Sequence, residues 1–290
     1  MADLRYTPPR ARRAGENRGG AYDDVRRSIY LLYKRLSPEV IGTYRASIPP
    51  GDITVHPYED LPGGTRRVVR GLVAHLGLPG TRIVVGFRAM PPGRAGMVTL
   101  GRGPEYLVEV DVRFARRRED IGAVLAHEVM HVFLRHCDLR TEDEILVDTA
   151  TAYLGTGWPL LNSGPERLGY LTPAQLGYVL GKRAVRFGDD PEPYLRTAEA
   201  RFAYRAGRTC AAAEHHRPPF HTAGPRSRRR YEKARTRRLP RSPDGYAFSG
   251  HSPARVTFPC PTCNVQVTAP SSTVFWTRCT ICHTPLDCAT

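Results

Sequence analysis

Two histidines stand four residues apart with a glutamate directly after the first: His127-Glu128-Val129-Met130-His131, inside the apolar run 121–134. On a helix this spacing sets both imidazoles on one face, one turn apart, where they can share one Zn²⁺. The carboxylate of Glu128 is then placed to take a proton from a metal-bound water. A zinc that does chemistry needs a third protein ligand and keeps a fourth position open. Cys137 occupies the last-histidine place of the pattern H-E-x-x-H-x-x-G-x-x-H, but Leu134 replaces the glycine of its turn. His136 lies five residues beyond His131, off the shared face. Glu144-x₃-Asp148 puts two carboxylates on one face of a following helix, one suited to bind metal and the other to orient a ligand imidazole. A Cys137 thiolate could instead close the open position as a resting lock, against the plainer role of a small buried residue.

A second constellation lies near the C-terminus. Cys260-Pro-Thr-Cys263 and Cys279-Thr-Ile-Cys282 form C-x₂-C-x₁₅-C-x₂-C, a zinc-site spacing. Four thiolates close a tetrahedral shell, so this site is expected to be structural, giving two Zn²⁺ per chain, one catalytic and one structural. So short a module buries little core, and the metal would supply its folding energy. Val265, Val267, Val274, Phe275 and Trp276 suit a small β-ribbon. Phe258, Phe275 and Trp276 are candidates for stacking on bases, with packing over the metal as the simpler role.

The intervening sequence must position the first site. Residues 1–20 read as a flexible basic arm. Apolar residues at helical spacing predict helices over 22–36 and 63–75, and β-branched runs predict strands over 81–87, 96–100 and 106–114. In the last strand Leu107, Glu109 and Asp111 alternate with Val108, Val110 and Val112, which predicts one wet and one buried face. The metal helix is expected over 118–136. The next is expected over 141–154, with Thr141 as N-cap and Glu144 at the capping-box position. Two more helices open at Thr172-Pro173 and at Pro191/Pro193. A small sheet running into the H-E-x-x-H helix is the layout of zinc-peptidase cores, where an edge strand can hold an extended peptide. The expected class is α+β: a zincin-like peptidase domain over 21–216, an Arg-rich linker over 217–257 and a Cys₄ zinc β-ribbon over 258–290.

The formal charge is +15, with Lys34, Lys182 and Lys233 the only lysines. Arginine crowds 226–241, and Arg228, Arg229, Arg230, Arg235, Arg237 and Arg238 are candidate nucleic-acid contacts, the alternative being a solvated linker. With no apolar run of spanning length and no apolar segment near Met1, neither a membrane span nor a secretory signal is expected. Seven cysteines then favour metal ligands over disulfides, and the expected compartment is the cytoplasm.

H-E-x-x-H followed on the next helix by E-x-x-x-D resembles the gluzincin pattern, and the short gap between the two resembles the ImmA/IrrE-type metallopeptidases. The resemblance implies His127, His131 and Glu144 as ligands of the catalytic zinc, with Glu142 as fallback, Glu128 as general base and Asp148 as orienter of an imidazole. An ImmA/IrrE-like domain with a zinc ribbon is similar to the peptidases of bacterial CBASS antiphage operons. That implies a helix-turn-helix repressor as substrate and single-stranded DNA as stimulus. SprT-like DNA–protein-crosslink proteases also join H-E-x-x-H to a zinc ribbon, but their third ligand is a histidine shortly downstream, and none stands between His136 and His215. From another class comes a nucleic-acid-binding regulator on a non-catalytic zincin scaffold. Glu128 disfavours it, since a pure scaffold has no use for that carboxylate. Candidates for a second oxyanion donor are Tyr153, Tyr170, Tyr178, His215 and His216.

Overall fold

The computed structural model describes residues 20–101, 103–163, 168–217, 219–242, 245–250, 254–271 and 275–288. The basic arm, apart from Gly20, lies outside them, as do Val274 and the Phe275 side chain. Among the described residues the chain is mixed α+β, with ten α-helices and three small sheets. No helix among them is long and apolar enough to cross a membrane.

In chain order these are α1 (Asp23–Arg35), α2 (Pro38–Thr43), α3 (Pro50–Ile53), α4 (Leu61–His75), β1 (Arg82–Arg88), β2 (Gly96–Thr99) and β3 (Glu105–Asp111). Then come α5 (Arg118–His136), α6 (Glu144–Tyr153), α7 (Trp158–Asn162), α8 (Pro173–Phe187), α9 (Ala198–His215) and α10 (Pro225–Thr236). The chain ends with β4 (Ala247–Ser249), β5 (Arg255–Pro259), β6 (Gln266–Pro270), β7 (Phe275–Arg278) and β8 (Pro285–Cys288).

Helix α5 is the axis. Its residues from Ile121 to Ala126 are all buried, as are Val129, Met130 and Val132 to Leu134, so it is apolar around most of its circumference, as a fully enclosed helix must be. The first sheet has the order β1-β3-β2, with β1 parallel and β2 antiparallel to β3. Tyr106, Val108 and Val110 of β3 are buried, while Val84 and Leu107, paired across β1 and β3, stay 48% and 42% exposed on the outer face. Strand β2 is an edge strand lying over α5.

Helices α8 and α9 cross with backbones almost touching. A Cβ built on Gly177 would stand 2.2 Å from the Ala203 carbonyl oxygen, and one on Gly207 2.2 Å from Gly177. Arg183 of α8 is wholly buried; its Nη1 donates to the Tyr153 carbonyl at 2.8 Å, tying this pair to α6, and its Nε donates to Asp189, just beyond α8, at 3.0 Å.

Several expected elements shift for identifiable reasons. Strand β3 stops at Asp111 because its carboxylate accepts from the Arg113 N–H at 2.9 Å and starts a 3-10 turn over Val112–Ala115. The alternation therefore reverses, with Asp111 buried and Val112 51% exposed. Helix α6 is capped by Asp143, which accepts from Leu146 N–H, and not by Thr141. Glu144 is thereby its first residue and takes no capping-box role. The helix expected from Pro191 is a 3-10 turn, Glu192–Tyr194, and α9 begins only after Thr197 caps Ala200.

The stretch 217–257 is folded where described, contrary to its reading as a linker. Tyr231 and Ala234 of α10 are buried, and the Tyr231, Tyr246 and Phe248 rings meet at centroid distances of 5.1 to 5.7 Å. Strand β4 joins β5 and β6 in the ribbon's sheet. A few aromatics among the arginines suffice to fold this segment against its neighbours, which its composition obscured.

Gly177→Ala is expected to cost about 1–3 kcal/mol through overpacking. Gly42→Ala, with nothing within 4 Å of the new methyl, is expected to be neutral or stabilising. Urea unfolding midpoints of the two variants check the contrast.

Candidate metal centre

Three donor atoms from two helices converge. His127 and His131 of α5 bring their Nε2 atoms to 3.2 Å from each other, and Glu144 Oε2, from the first position of α6, lies 3.2 Å from His127 Nε2 and 3.5 Å from His131 Nε2. Tetrahedral coordination with metal–ligand bonds of ~2.0–2.1 Å has edges of about 3.3–3.4 Å. Glu144 Oε2 is buried and makes no well-angled hydrogen bond. A buried carboxylate oxygen facing two imidazole nitrogens at this spacing is the donor set a cation would satisfy, and the three residues can hold a metal ion.

The orientation of His127 is fixed from behind. Its Nδ1 meets Asp148 Oδ1 at 2.8 Å, so with Nδ1–H as donor the Nε2 lone pair points into the cluster. Asp148 is fully buried, and its other oxygen accepts the backbone N–H groups of Tyr170 at 2.5 Å and Leu171 at 3.0 Å. Those N–H groups reach it because Gly169 has φ +92°; a Cβ there would fall 2.6 Å from Asp148 Oδ2.

Charge couples the group. Burial works against protonation of His127, but its hydrogen bond to Asp148 and the facing Glu144 carboxylate hold it well above the usual imidazole range. Burial opposes ionisation of Glu144, yet the two imidazoles bring it down to about 2. Protons and a metal cation compete for these atoms, so metal binding should release protons and weaken as pH falls. Glu128, also buried, is raised above the usual carboxylate range by desolvation, with both histidines pulling the other way. Its carboxylate lies against the backbone of Gly96 at the start of β2.

The other candidates lie elsewhere. Glu142 is exposed. Cys137 caps the end of α5, where its carbonyl accepts from Arg35 Nε, and burial raises its thiol. His136 Nδ1 turns to the Val132 carbonyl at 2.9 Å. Of the aromatic candidates, Tyr170 sits beside the cluster, its ring centroid 6.2 Å from that of His127. Tyr153 bonds Tyr33, and Tyr178 donates to Glu214. The rings of His215 and His216 pack against each other. Sequence reasoning missed Gly96 and Gly169; lone glycines in a strand and a loop carry no spacing signal.

At the second centre all four ribbon cysteines are buried. Cys260 and Cys282 approach to 3.5 Å between sulfurs, as do Cys263 and Cys279, near the edge of about 3.8 Å for a tetrahedron with ~2.3 Å bonds. The two knuckles repeat one design. Cys260 N–H donates to Val265 O and Asn264 N–H to Cys260 O; Cys279 N–H donates to Thr284 O and His283 N–H to Cys279 O. Asn264 and His283 take matching positive φ values, 63° and 54°, a region in which both residue types are enriched. These four thiols can hold a metal ion. Phe258 is buried against Phe220, whereas Trp276 is 75% exposed.

The arginines of α10 divide. Arg228 is committed to the carbonyls of Ala223 and His221, and Arg235 to Glu232 and the Ser271 carbonyl. Arg226, Arg230, Lys233 and Arg237 are exposed at intervals of four, three and four residues, one face of the helix. The last three line a groove of about 330 Å³ with Leu239 and Tyr246. Arg229 and Arg238 are exposed outside that groove's lining.

No family model matches this chain, and neither the curated proteins nor the solved structures contain a match to it. In metal-loaded protein, His127→Ala is expected to remove one ion and leave the one held by the cysteines. Gly169→Ala should weaken the first ion's binding about 10–100-fold through Asp148. Metal content after dialysis against graded chelator measures both.

Proposed function

We propose that this chain is a zinc-dependent endopeptidase of the zincin type, with the catalytic Zn²⁺ at His127, His131 and Glu144 and a structural Zn²⁺ at Cys260, Cys263, Cys279 and Cys282. The observation that carries the reading is the convergence of two imidazoles and one carboxylate beside a second, buried carboxylate at the edge of a sheet. When bound, the metal supplies a Lewis acid that polarises a scissile carbonyl and acidifies a water. Glu128 accepts the water's proton and delivers it to the leaving amine nitrogen. Its burial supports this role, because a carboxyl shifted upward is a stronger base than an exposed one. Asp148 keeps His127 in the tautomer and rotamer that bind. Tyr170 is the best placed of the candidate donors toward a carbonyl oxygen. The open edge of β2 offers its backbone to an extended peptide running past Glu128.

A protein substrate such as a helix-turn-helix repressor, in a cytoplasmic stress or antiphage response, follows from the resemblance to the ImmA/IrrE-like peptidases. Glu144 within reach of both histidines favours that family over the SprT-like proteases. Single-stranded nucleic acid is the proposed stimulus. The cationic face of α10 supports it, since Arg226, Arg230, Lys233 and Arg237 recur once per turn and can track a phosphate backbone. The exposed Trp276 adds a surface on which a base can stack. The reading of the chain as a purely nucleic-acid-binding regulator rests on the same groove and leaves the buried Glu128 without a purpose.

Glu128→Gln is expected to keep metal content and fold while lowering hydrolysis of a protein substrate by about 10²–10⁴-fold. Undiminished cleavage by that variant would sink the mechanism. For the nucleic-acid half, replacing Arg230, Lys233 and Arg237 by alanine should weaken binding of a labelled single-stranded oligonucleotide. It should also reduce the slope of log affinity against log salt by about 2, at ~0.7 per phosphate contact. Absence of binding by the unaltered protein at low salt would remove that half.

A further inference from the structure

Gly96 opens β2 and pairs with Val110 of β3. Its φ is not in the left-handed region, unlike that of Gly93 three residues earlier, so the backbone here does not require glycine. A glycine in a strand weakens it, having no side chain to pack and extra freedom to lose. The reason for it must then be space. Position 96 faces α5, and a Cβ built there would fall 2.7 Å from Val124 Cγ1, 2.8 Å from Glu128 Oε1 and 3.0 Å from Glu128 Cγ. Real Cβ contacts do not come that close, so something would have to move. Helix α5 cannot retreat, because Gly122 on the same helix already lies against the Ile53 carbonyl, where a Cβ would stand at 1.9 Å. Val124 is short, branched and buried, so the far end of the longer, flexible Glu128 side chain is the part that yields most cheaply.

We propose that Gly96 is a positioning residue for Glu128, an inference that rests on the peptidase reading of this site. The missing side chain forms a notch in the inner face of the edge strand. The notch holds the Glu128 carboxylate directly beneath the backbone to which an extended substrate would pair. A methyl at position 96 leaves the three metal-binding side chains untouched and swings the proton acceptor off its line. Gly96 touches neither substrate nor reacting atoms through a side chain of its own; it acts through Glu128.

The test uses the full-length, zinc-loaded protein with Gly96→Ala, Glu128→Gln, Glu128→Ala and the double variants. It follows hydrolysis of a pool of quenched-fluorescent decapeptides with and without a single-stranded oligonucleotide, steady-state constants on the best-cleaved member, bound zinc and the urea midpoint. Gly96→Ala is expected to lower kcat about 10–100-fold, to leave KM within about twofold because the strand backbone is kept, and to retain both ions. Added to Glu128→Gln it should cause no further loss, since two changes acting through one group do not add. The urea midpoint should fall less when Gly96→Ala is placed on Glu128→Ala, where the carboxylate is gone, than on the unaltered protein. Unchanged kcat in Gly96→Ala, or equal midpoint shifts in the two backgrounds, would overturn the role of Gly96 while leaving the peptidase reading intact. If the unaltered protein cleaves no peptide, the peptidase reading falls. The urea comparison then still decides whether the notch exists for Glu128.

Discussion

A helix buried on nearly every side carries imidazoles at a heavy desolvation cost unless they are given partners, and that constraint governs this molecule. Helix α5 runs through the interior with His127, Glu128 and His131 on it, and desolvated polar groups cost several kcal/mol when left alone. The remedy is reciprocal. Asp148, itself without solvent, takes His127 on one oxygen and two backbone N–H groups on the other. Glu144 brings its charge to both ring nitrogens from the first turn of α6, where the helix dipole favours an anion. The α5–α6 packing and the 169–171 loop are therefore consequences of what the helix carries as much as of its apolar surface.

Close approach is the second theme. Several glycines mark places where a backbone or a carboxylate occupies the volume of a missing side chain. Gly122 admits the Ile53 carbonyl, Gly169 admits Asp148, and Gly177 and Gly207 let α8 and α9 meet. Removing a methyl at each contact trades local chain stiffness for shorter distances between the elements that hold the polar cluster.

The ribbon is not an independent appendage. Lys182 of α8 is buried and donates both to Glu214 of α9 at 3.2 Å and to the carbonyl of Pro261, inside the first cysteine knuckle. Glu214 also accepts from Tyr178 and Arg26. Burial depresses the Lys182 ammonium while Glu214 works to keep it charged. Four thiolates around a divalent ion would carry net negative charge, so a buried cation beside Cys260 suits that centre. In a chain so rich in arginine, a compact ammonium is what fits between a carboxylate and a single carbonyl.

The sequence by itself determined what lies within one helix or one tight turn. The four-residue spacing of His127 and His131 and the two C-x₂-C knuckles are covalently local, and the backbone geometry of a helix or a knuckle leaves them little choice. The α+β order of elements was likewise legible from periodicity. Resemblance to the gluzincin pattern already pointed to Glu144, but only the tertiary structure brings its Oε2 to 3.2 Å and 3.5 Å from the two ring nitrogens. That distance depends on how α5 and α6 pack and on Asp143, not Thr141, ending the intervening loop. Tertiary structure alone separated the arginines of α10 that brace carbonyls from those that face outward. It also revealed the reasons for Gly96 and Gly169, since a glycine's purpose is the neighbour it makes room for, and that neighbour is distant in the chain.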